Sequence, residues 1–415
     1  MRNRKNYNHA EIENEKNNSK IALIISTSGF GLTQIIGWGT IFYPPAIISS
    51  QIGVAVGLTE EHVYFGITIM MLVGALSSPK LGKIIDKHGA RTPIILGCLI
   101  TALSLLLMAV VNNPYSFWVS WALLGLASPL VITSGAYTAL VQVTGNNARK
   151  AVSALSLFSG FSSTLFYPAT HYLVLHYGWR EMYVIYATLH LLICMPIFIK
   201  LLPKEYNKKI VNEKTTTTKT TPNNTNLILI NFFILILVNT MISAGLTLHL
   251  YKLFGLLGLS TSVAVFAVSL TGPTQVIGRI IELTTGRNHS PLSTALFSTI
   301  IQVISFVIII YVNSSKVIWL FIILYGLSNG LMTIVRVALP LILFGSKDYG
   351  RSSGIINFGF SLTNAIAPVA FANIIENYGA KVIFVICLIL SFFSFSTCLL
   401  LKYLFNQLIK PKNES

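Results

Sequence analysis

Two ten-residue stretches decide the fold of this chain: GKIIDKHGAR at residues 82–91 and GRIIELTTGR at residues 278–287. Each stretch begins where a long apolar run ends, and their first residues lie 196 positions apart. A charged loop that recurs once in each half, between hydrophobic runs, is typical of a duplicated membrane protein. Secondary transporters are the main class of proteins built in this way.

The composition indicates a lipid environment. Hydrophobic residues make up 53% of the 415 residues, charged residues only 10%, and the mean hydropathy is +0.70. A soluble protein of this length needs far more polar surface. A bilayer core about 30 Å thick takes about 20 apolar residues per helix, and twelve such runs can be placed. They cover residues 21–44, 62–80, 93–112, 115–143, 151–176, 181–203, 226–254, 260–283, 291–312, 316–344, 352–377 and 380–405.

Further matching positions support the duplication and define the domains. The loops at Gly178 and Gly379 each join the fifth and sixth run of their half, and Pro168 matches Pro368. We therefore predict an all-α membrane protein with twelve transmembrane helices in two six-helix bundles around a central cavity. The predicted domains are a disordered cytoplasmic tail at 1–20, bundles at 21–203 and 226–405, a Thr- and Lys-rich cytoplasmic linker at 204–225, and a C-terminal tail at 406–415.

The positive charges orient the predicted helices. With the N-terminus placed in the cytoplasm, 24 of the 29 Lys and Arg residues fall on the cytoplasmic side and four on the outer side. Such a bias is a strong positive-inside signal and places both termini in the cytoplasm. The net charge of +16 therefore reports topology and attraction to anionic lipid rather than a nucleic-acid partner. The four cysteines lie in apolar runs without CxxC spacing, so we predict neither a disulfide framework nor a metal site.

Several motifs resemble those of a known family. The GKIIDKHGAR stretch resembles the loop between helices two and three of the major facilitator superfamily, and both its partial echo and the Gly-Trp-Arg at 178–180 fit the same family. The resemblance covers residues 21–405 and implies two bundles that rock between inward-open and outward-open states. Within the superfamily the chain looks most like bacterial members related to monocarboxylate and oxalate/formate porters. That likeness rests on residues 37–44, His249-Leu250, residues 272–279 and residues 336–340.

The repeated loop supplies candidates for a cytoplasmic gate. Gly82 and Gly278 would let helices approach closely, and Asp86 can pair with Arg91 or with a facing helix end. Such contacts would hold the gate shut when the cavity faces outward and break when it opens inward. The alternative is ordinary positive-inside loop charge. The full set of candidate gate residues is Gly82, Lys83, Asp86, Arg91, Gly278, Arg279 and Glu282, with Arg279 assigned here rather than to substrate contact because it aligns with Lys83 in the repeat.

Arg336 is the sharpest candidate for substrate contact. It lies about eight residues, or roughly 12 Å, from the cytoplasmic end of its run, and none of the thirteen Asp and Glu residues falls mid-span. A guanidinium in apolar surroundings is costly unless it is paired or hydrated. We expect it to face the cavity and bind an anion through a forked hydrogen bond, the alternatives being snorkelling to the interface or a structural contact to carbonyls. The other candidates for substrate contact are Tyr43, Gln34, His249, Gln275 and Asn329.

Three histidines are candidates for proton coupling. His249, His190 and His171 lie inside apolar runs, and with no carboxylate deep in the membrane they are the side chains left to titrate near neutral pH. A packing role is the alternative for each, and a weak-acid substrate could carry the proton itself. His249 leads the three because it falls on a stretch that carries the resemblance.

The sequence predicts a secondary transporter and disfavours other classes. No Gly-x-x-x-x-Gly-Lys-Ser/Thr loop for nucleotides and no catalytic constellation stands out, so we expect neither ATP-driven pumping, nor an enzyme, nor a cofactor. Pro168 follows Tyr167 where drug–proton antiporters of the superfamily carry a Gly-Pro pair. These antiporters also commonly carry an acidic residue in the membrane that binds cations, and no Asp or Glu of this chain lies mid-span. We expect a monomeric, proton-coupled symporter of a small organic anion in the bacterial inner membrane. Export of a metabolite, siderophore or drug is the alternative, and a receptor built on the same fold is a third possibility.

Overall fold

The computed structural model describes residues 2–132, 134–144, 148–203, 225–285, 290–312 and 316–409. Within these ranges the side chains of residues 2–20 and 340–358, and of a few single residues such as Asp86, lie outside the description. The predicted linker lies almost entirely outside the described residues, and the division into domains stays a prediction. We call residues 2–203 the first half and residues 225–409 the second half.

The first half is built of helices that begin at capping residues and end at turns. Thr59 and Asn113 accept hydrogen bonds from the backbone N–H groups three residues later, which satisfies donors at the starts of two helices. The pair Pro44-Pro45 separates the first two helices, because proline cannot donate to the preceding turn. The helices are α1 Arg2–Ile41, α2 Pro45–Val56, α3 Glu60–His88, α4 Arg91–Val110, α5 Pro114–Val131, α6 Ser134–Thr144, α7 Ala148–Gly160, α8 Ser162–Tyr177, α9 Trp179–Leu189, a π-helical turn His190–Cys194, and α10 Met195–Leu201.

The described residues of the second half form five helical segments, of which the last is very long. Ser290 caps one of them by accepting from the N–H of Ser293, with Pro291 in the first turn. The segments are α11 Thr225–Leu256, α12 Thr261–Ser269, α13 Thr271–Thr285, α14 Pro291–Tyr311 and α15 Lys316–Ile409.

Helix α15 folds back on itself. A straight helix of 94 residues would be about 140 Å long, several times the thickness of a bilayer. Instead the rings of Phe321 and Phe384 lie 5.8 Å apart, and the guanidinium of Arg336 lies 3.7 Å from the ring centroid of Phe360. Gly379 has a φ of +80°, which side-chain-bearing residues rarely adopt and which marks one turn. The segment therefore supplies several antiparallel passes to the second half.

Ten helical segments of the described residues are long and apolar enough to cross a membrane. One of them, Gly359–Gln407, has 49 residues, more than twice the length a single crossing needs. Large apolar side chains also cover the surface, among them Leu76, which is 78% exposed, and Leu192, which is 70% exposed. A surface of this kind suits lipid, so the chain is a multi-pass membrane protein. The count of twelve helices in two bundles stays a prediction.

The two halves meet along a few helix pairs. Helices α11, α13 and α14 all pack against α15, while α4 packs against α5 and α9. Contacts between the halves run from α3 to α15, from α8 to α12, from α7 and α8 to α13, and from α2 to α11. A space between the halves remains near the middle of these helices, and it holds the candidate site.

Candidate substrate cavity between the halves

A cavity of about 290 Å³ lies between the two halves. This volume is near the lower limit of the range for small-molecule pockets. Helices from both halves form its wall, so movement of one half against the other changes its shape. The described lining residues are Trp38, Phe42, Tyr43, Tyr137, Ser156, Ser159, Gly160, Ile236, Asn239, Thr240, Ser243, Ala244, Thr247, Gln275, Arg279, Asn329, Met332, Thr333, Arg336, Phe360 and Asn364.

The polar part of the wall follows from helical periodicity. On α11 the lining residues include Thr240, Ser243 and Thr247, three and four positions apart, which share one helix face. On α15 the same spacing brings Asn329 and Arg336 to one face, since they are seven positions apart. Helices α11 and α15 therefore each turn a polar stripe toward the cavity.

Two guanidiniums face this cavity. Arg336 stacks on Phe360, which fixes the plane of its guanidinium. Arg279 is 7% exposed and donates through Nη1 to the backbone carbonyl of Ser156, across the boundary between the halves. Its Nε is buried and has no hydrogen-bond partner among the described residues. Of the described residues that line the cavity, none is an Asp or a Glu, so the charge that these side chains contribute is positive.

Four of the six residues predicted for substrate contact line this cavity: Tyr43, Gln275, Asn329 and Arg336. The other two, Gln34 and His249, lie elsewhere. Gln34 is fully buried and donates through Nε2 to the carbonyl of Val131, 2.9 Å away, within the first half. His249 lies beyond the cavity in a contact between the halves.

That contact belongs to a set of bonds on the side predicted to be outer. Lys252 of α11 forms an ion pair with Glu60 of α3, with 2.6 Å between Nζ and Oε2. Nearby, Asn373 donates to Glu61 at 3.0 Å. Closer to the cavity, the hydroxyl of Tyr167 donates to the carbonyl of Thr247 at 2.6 Å. We call the Glu60–Lys252 and Glu61–Asn373 bonds the outer contacts; they join the halves in this structure.

The histidines predicted for proton coupling occupy three different environments. His249 donates through Nε2 to the carbonyl of Pro368 at 2.9 Å, and its ring lies 4.3 Å from that of Tyr64 in the other half. His190 lies 2.8 Å from the hydroxyl of Thr40 and starts the π-helical turn. In both rings Nδ1 is buried without a hydrogen-bond partner among the described residues. His171 is half-buried on α8.

The predicted gate residues differ in their contacts. At Gly278 an added Cβ would lie 2.7 Å from the carbonyl oxygen of Leu327, so α13 and α15 approach closely there, whereas at Gly82 no described atom would lie within 4 Å. Arg91 donates to the carbonyl of Leu202 at 2.7 Å, within its own half. Glu282 likewise stays in its half, accepting from Thr294 at 2.9 Å. Lys83 is exposed, and the side chain of Asp86 is outside the description. Arg279 is the predicted gate residue whose described bond crosses between the halves.

Several lining residues were missed by the sequence analysis. Ser156 and Ser159 had the spacing of a small-residue face, but they line the cavity. Asn239 also lines it, and its Nδ2 donates to Ser394 at 2.6 Å. The polar stripe of α11 is visible in the sequence as Asn-Thr at 239–240, Ser243 and Thr247, a helical spacing inside an apolar run.

Comparison with known proteins identifies the family. The profile of the Major Facilitator Superfamily matches residues 29–359 and 285–415, which together span most of the chain. The chain belongs to the Major Facilitator Superfamily. It is 25% identical over 351 residues to the multidrug resistance protein MdtG of Salmonella choleraesuis, with 80% of this chain and 84% of that protein covered. The MdtG protein of Escherichia fergusonii is 24% identical over 354 residues, covering 82% and 85%.

A solved structure of another transporter shares the fold. The crystal structure of the nucleoside transporter NupG aligns with a TM-score of 0.72, covering 91% of this chain and 99% of that one at 12% sequence identity. At this identity the likeness concerns the fold alone. Members of the superfamily are transporters, and the chain is accordingly a transporter rather than an enzyme; it moves a small molecule across a membrane.

Proposed function

We propose that this protein is a secondary active transporter of a small organic anion, which it recognises by negative charge. The observation that carries the proposal is the pair of arginines, Arg279 and Arg336, in a cavity whose described lining contains no carboxylate. A small carboxylate is the simplest substrate that supplies the missing negative charge.

The energetics of a buried guanidinium support an anionic substrate. Removing an unpaired charge from water costs several kcal/mol even after relaxation. A carboxylate offers two oxygens that match the guanidinium fork, which Arg336 presents from its stacked position over Phe360. A cationic substrate would instead meet two positive charges in a site of low dielectric constant, where like charges repel strongly. The wall chemistry therefore favours anions over cations.

Transport would proceed by alternating access around this cavity. The outer contacts, Glu60–Lys252 and Glu61–Asn373, hold the halves together on the predicted outer side. Opening toward that side requires both bonds to break, while the rest of each half moves as a packed unit. We place the protein in the bacterial inner membrane with both termini in the cytoplasm, on the basis of the 24 basic residues on one side.

Proton coupling is part of this proposal, and His249 is our choice of proton carrier. Of the three candidate histidines, it is the one whose described ring contact, with Tyr64, crosses between the halves. Its Nε2 is a donor because it faces the carbonyl of Pro368, so the neutral ring has its lone pair on Nδ1. A proton on Nδ1 would be a buried donor without an acceptor. Protonation would therefore favour a conformation in which this contact opens.

Drug export is the second candidate function. The similarity to the MdtG multidrug resistance proteins covers four fifths of the chain, and aromatic side chains such as Trp38, Phe42 and Tyr43 offer apolar surface in the cavity. An exporter with this wall would still have to accommodate the two arginines, so neutral or acidic compounds would suit it better than cations.

The test is uptake into proteoliposomes of a panel of carboxylates, nucleosides and neutral or cationic drugs. We expect transport of a small carboxylate by the wild type, its loss in Arg336→Ala, and partial recovery in Arg336→Lys, which keeps the charge but not the fork. Arg180→Ala is the matched control, because Arg180 bonds the carbonyl of Ala109 within the first half and does not line the cavity. Transport of drugs alone, or full carboxylate transport by Arg336→Ala, would refute the anion assignment.

A further inference from the structure

The two guanidiniums face one small space, and this arrangement constrains the charge of what binds there. Arg279 comes from α13 and Arg336 from α15, both in the second half. Both line the same cavity, as does Tyr137 of the first half. Among the described lining residues no side chain carries a compensating negative charge. Without a ligand the site therefore holds two positive charges.

Resting on the proposed function, we infer that the substrate is a dianion and that Arg279 is its second anchoring residue. A monoanion paired with Arg336 would leave the charge of Arg279 without a negative partner among the described lining residues. A substrate with two negative charges neutralises both groups. Two chemical classes satisfy this requirement at neutral pH: a short dicarboxylate, with its charges at two ends, and a phosphate monoester, with both charges on one group.

The contacts of Arg279 leave room for this role. A guanidinium has five N–H donors, and the carbonyl of Ser156 takes up the Nη1 side of Arg279. The residue is 7% exposed, and its Nε is buried and has no hydrogen-bond partner among the described residues. A buried donor of a charged group is costly when it is left without an acceptor. An anionic oxygen in the cavity would accept from the other donors of this guanidinium and compensate its charge, since Arg279 lines the cavity.

The cavity volume suits a small dianion. A volume of about 290 Å³ is at the lower limit of ordinary ligand sites. Dicarboxylates of four to six carbons or a phosphate ester of a small alcohol would be accommodated, while aromatic walls at Tyr43 and Phe360 would contact the carbon skeleton.

The experiment compares ligands that differ in charge and little else. Binding of succinate and of butyrate, which have the same number of carbons, is measured by calorimetry on the purified full-length transporter at pH 7.5, with methyl phosphate as the third ligand. We expect the dissociation constant of at least one dianion to be 10-fold or more below that of butyrate. In Arg279→Gln this ratio should fall to about twofold, because the dianion loses the partner of its second charge, and Arg279→Lys should keep most of the preference.

The ratio of two affinities in one variant separates ligand contact from a structural role. If Arg279→Gln only weakened the bond to Ser156 and shifted the conformational equilibrium, both affinities would change by the same factor and their ratio would stay constant. Equal binding of butyrate and both dianions by the wild type, or an unchanged ratio in Arg279→Gln, would overturn the inference while leaving the proposed function intact. Absence of binding by every anion would overturn both. A preference for succinate alone or for methyl phosphate alone would confirm the dianion and identify its class.

Discussion

Breaking the ion pair between Glu60 and Lys252 should open the transporter toward the predicted outer side. The two side chains are 22% and 30% exposed, so solvent screens the pair in part. Measured pairs of this kind contribute about 0.2–1 kcal/mol, and the 2.6 Å separation places this one near the top of that range. Because 1.4 kcal/mol is a tenfold change in an equilibrium constant, E60Q should raise the ratio of outward-open to closed molecules by about fivefold.

The assay is the rate at which an externally added, membrane-impermeant maleimide labels Ser243→Cys, a position in the cavity wall. All four native cysteines are buried and should react slowly. We expect about fivefold faster labelling for E60Q and for K252Q, with little further increase in the double variant, because the first substitution already removes the shared interaction. E181Q is the matched control: Glu181 is exposed, lies in the first half and loses the same charge. Wild-type rates in E60Q, or additive effects in the double variant, would show that the pair does not hold the halves together.

Three further predictions concern packing and protons. Gly278→Ala should lower the unfolding free energy by about 1–3 kcal/mol, since its Cβ would meet a backbone carbonyl 2.7 Å away. Gly82→Ala is the control and should leave the melting temperature unchanged, because no described atom lies within 4 Å of its Cβ. Equal effects of the two substitutions would contradict this packing. His249→Gln should keep substrate binding but lose the stimulation of uptake by external acid, so a retained acid response would remove His249 from the coupling step. Thr40→Val should lower the unfolding free energy by about 1–3 kcal/mol, because it removes the buried hydrogen-bond partner of His190. A calorimetric scan of the variant that matches the wild type would refute this prediction.

The sequence predicted part of the cavity wall for one physical reason. In a membrane, polar side chains are costly, so their position along an apolar run carries information. Arg336, Gln275 and Asn329 were chosen on that basis, and they line the cavity. Tyr43, which was chosen for its place at the end of the first run, lines it as well. Gln34 met the same criterion, but its Nε2 donates to the carbonyl of Val131 inside one half. The sequence shows that a polar residue lies within an apolar run, but its hydrogen-bond partner depends on how the helices pack.

The position of Arg279 shows a second limit. Its alignment with Lys83 in the internal repeat predicted a shared role at the cytoplasmic gate. In the structure Lys83 is exposed, whereas Arg279 is buried and lines the cavity. Duplicated halves share a backbone plan, but each position meets different neighbours across the boundary between the halves, and a repeat alone cannot report those neighbours. The outer contacts were missed for the same reason, because Glu60 and Lys252 are 192 residues apart in sequence.

Helix α11 connects the cavity to the outer contacts. Ser243 and Thr247 line the cavity, and Lys252 carries one partner of the outer ion pair. Nine residues of helix separate Ser243 from Lys252, which is about 14 Å at 1.5 Å per residue. A helix transmits displacement along its axis because its hydrogen bonds resist compression and its packed side chains have few alternative arrangements. A substrate that draws the polar stripe of α11 toward the arginines would therefore also move Lys252 relative to Glu60. Under the proposed mechanism, occupancy of the cavity and closure of the outer side would then both depend on the position of one helix, which is the coupling that alternating access requires.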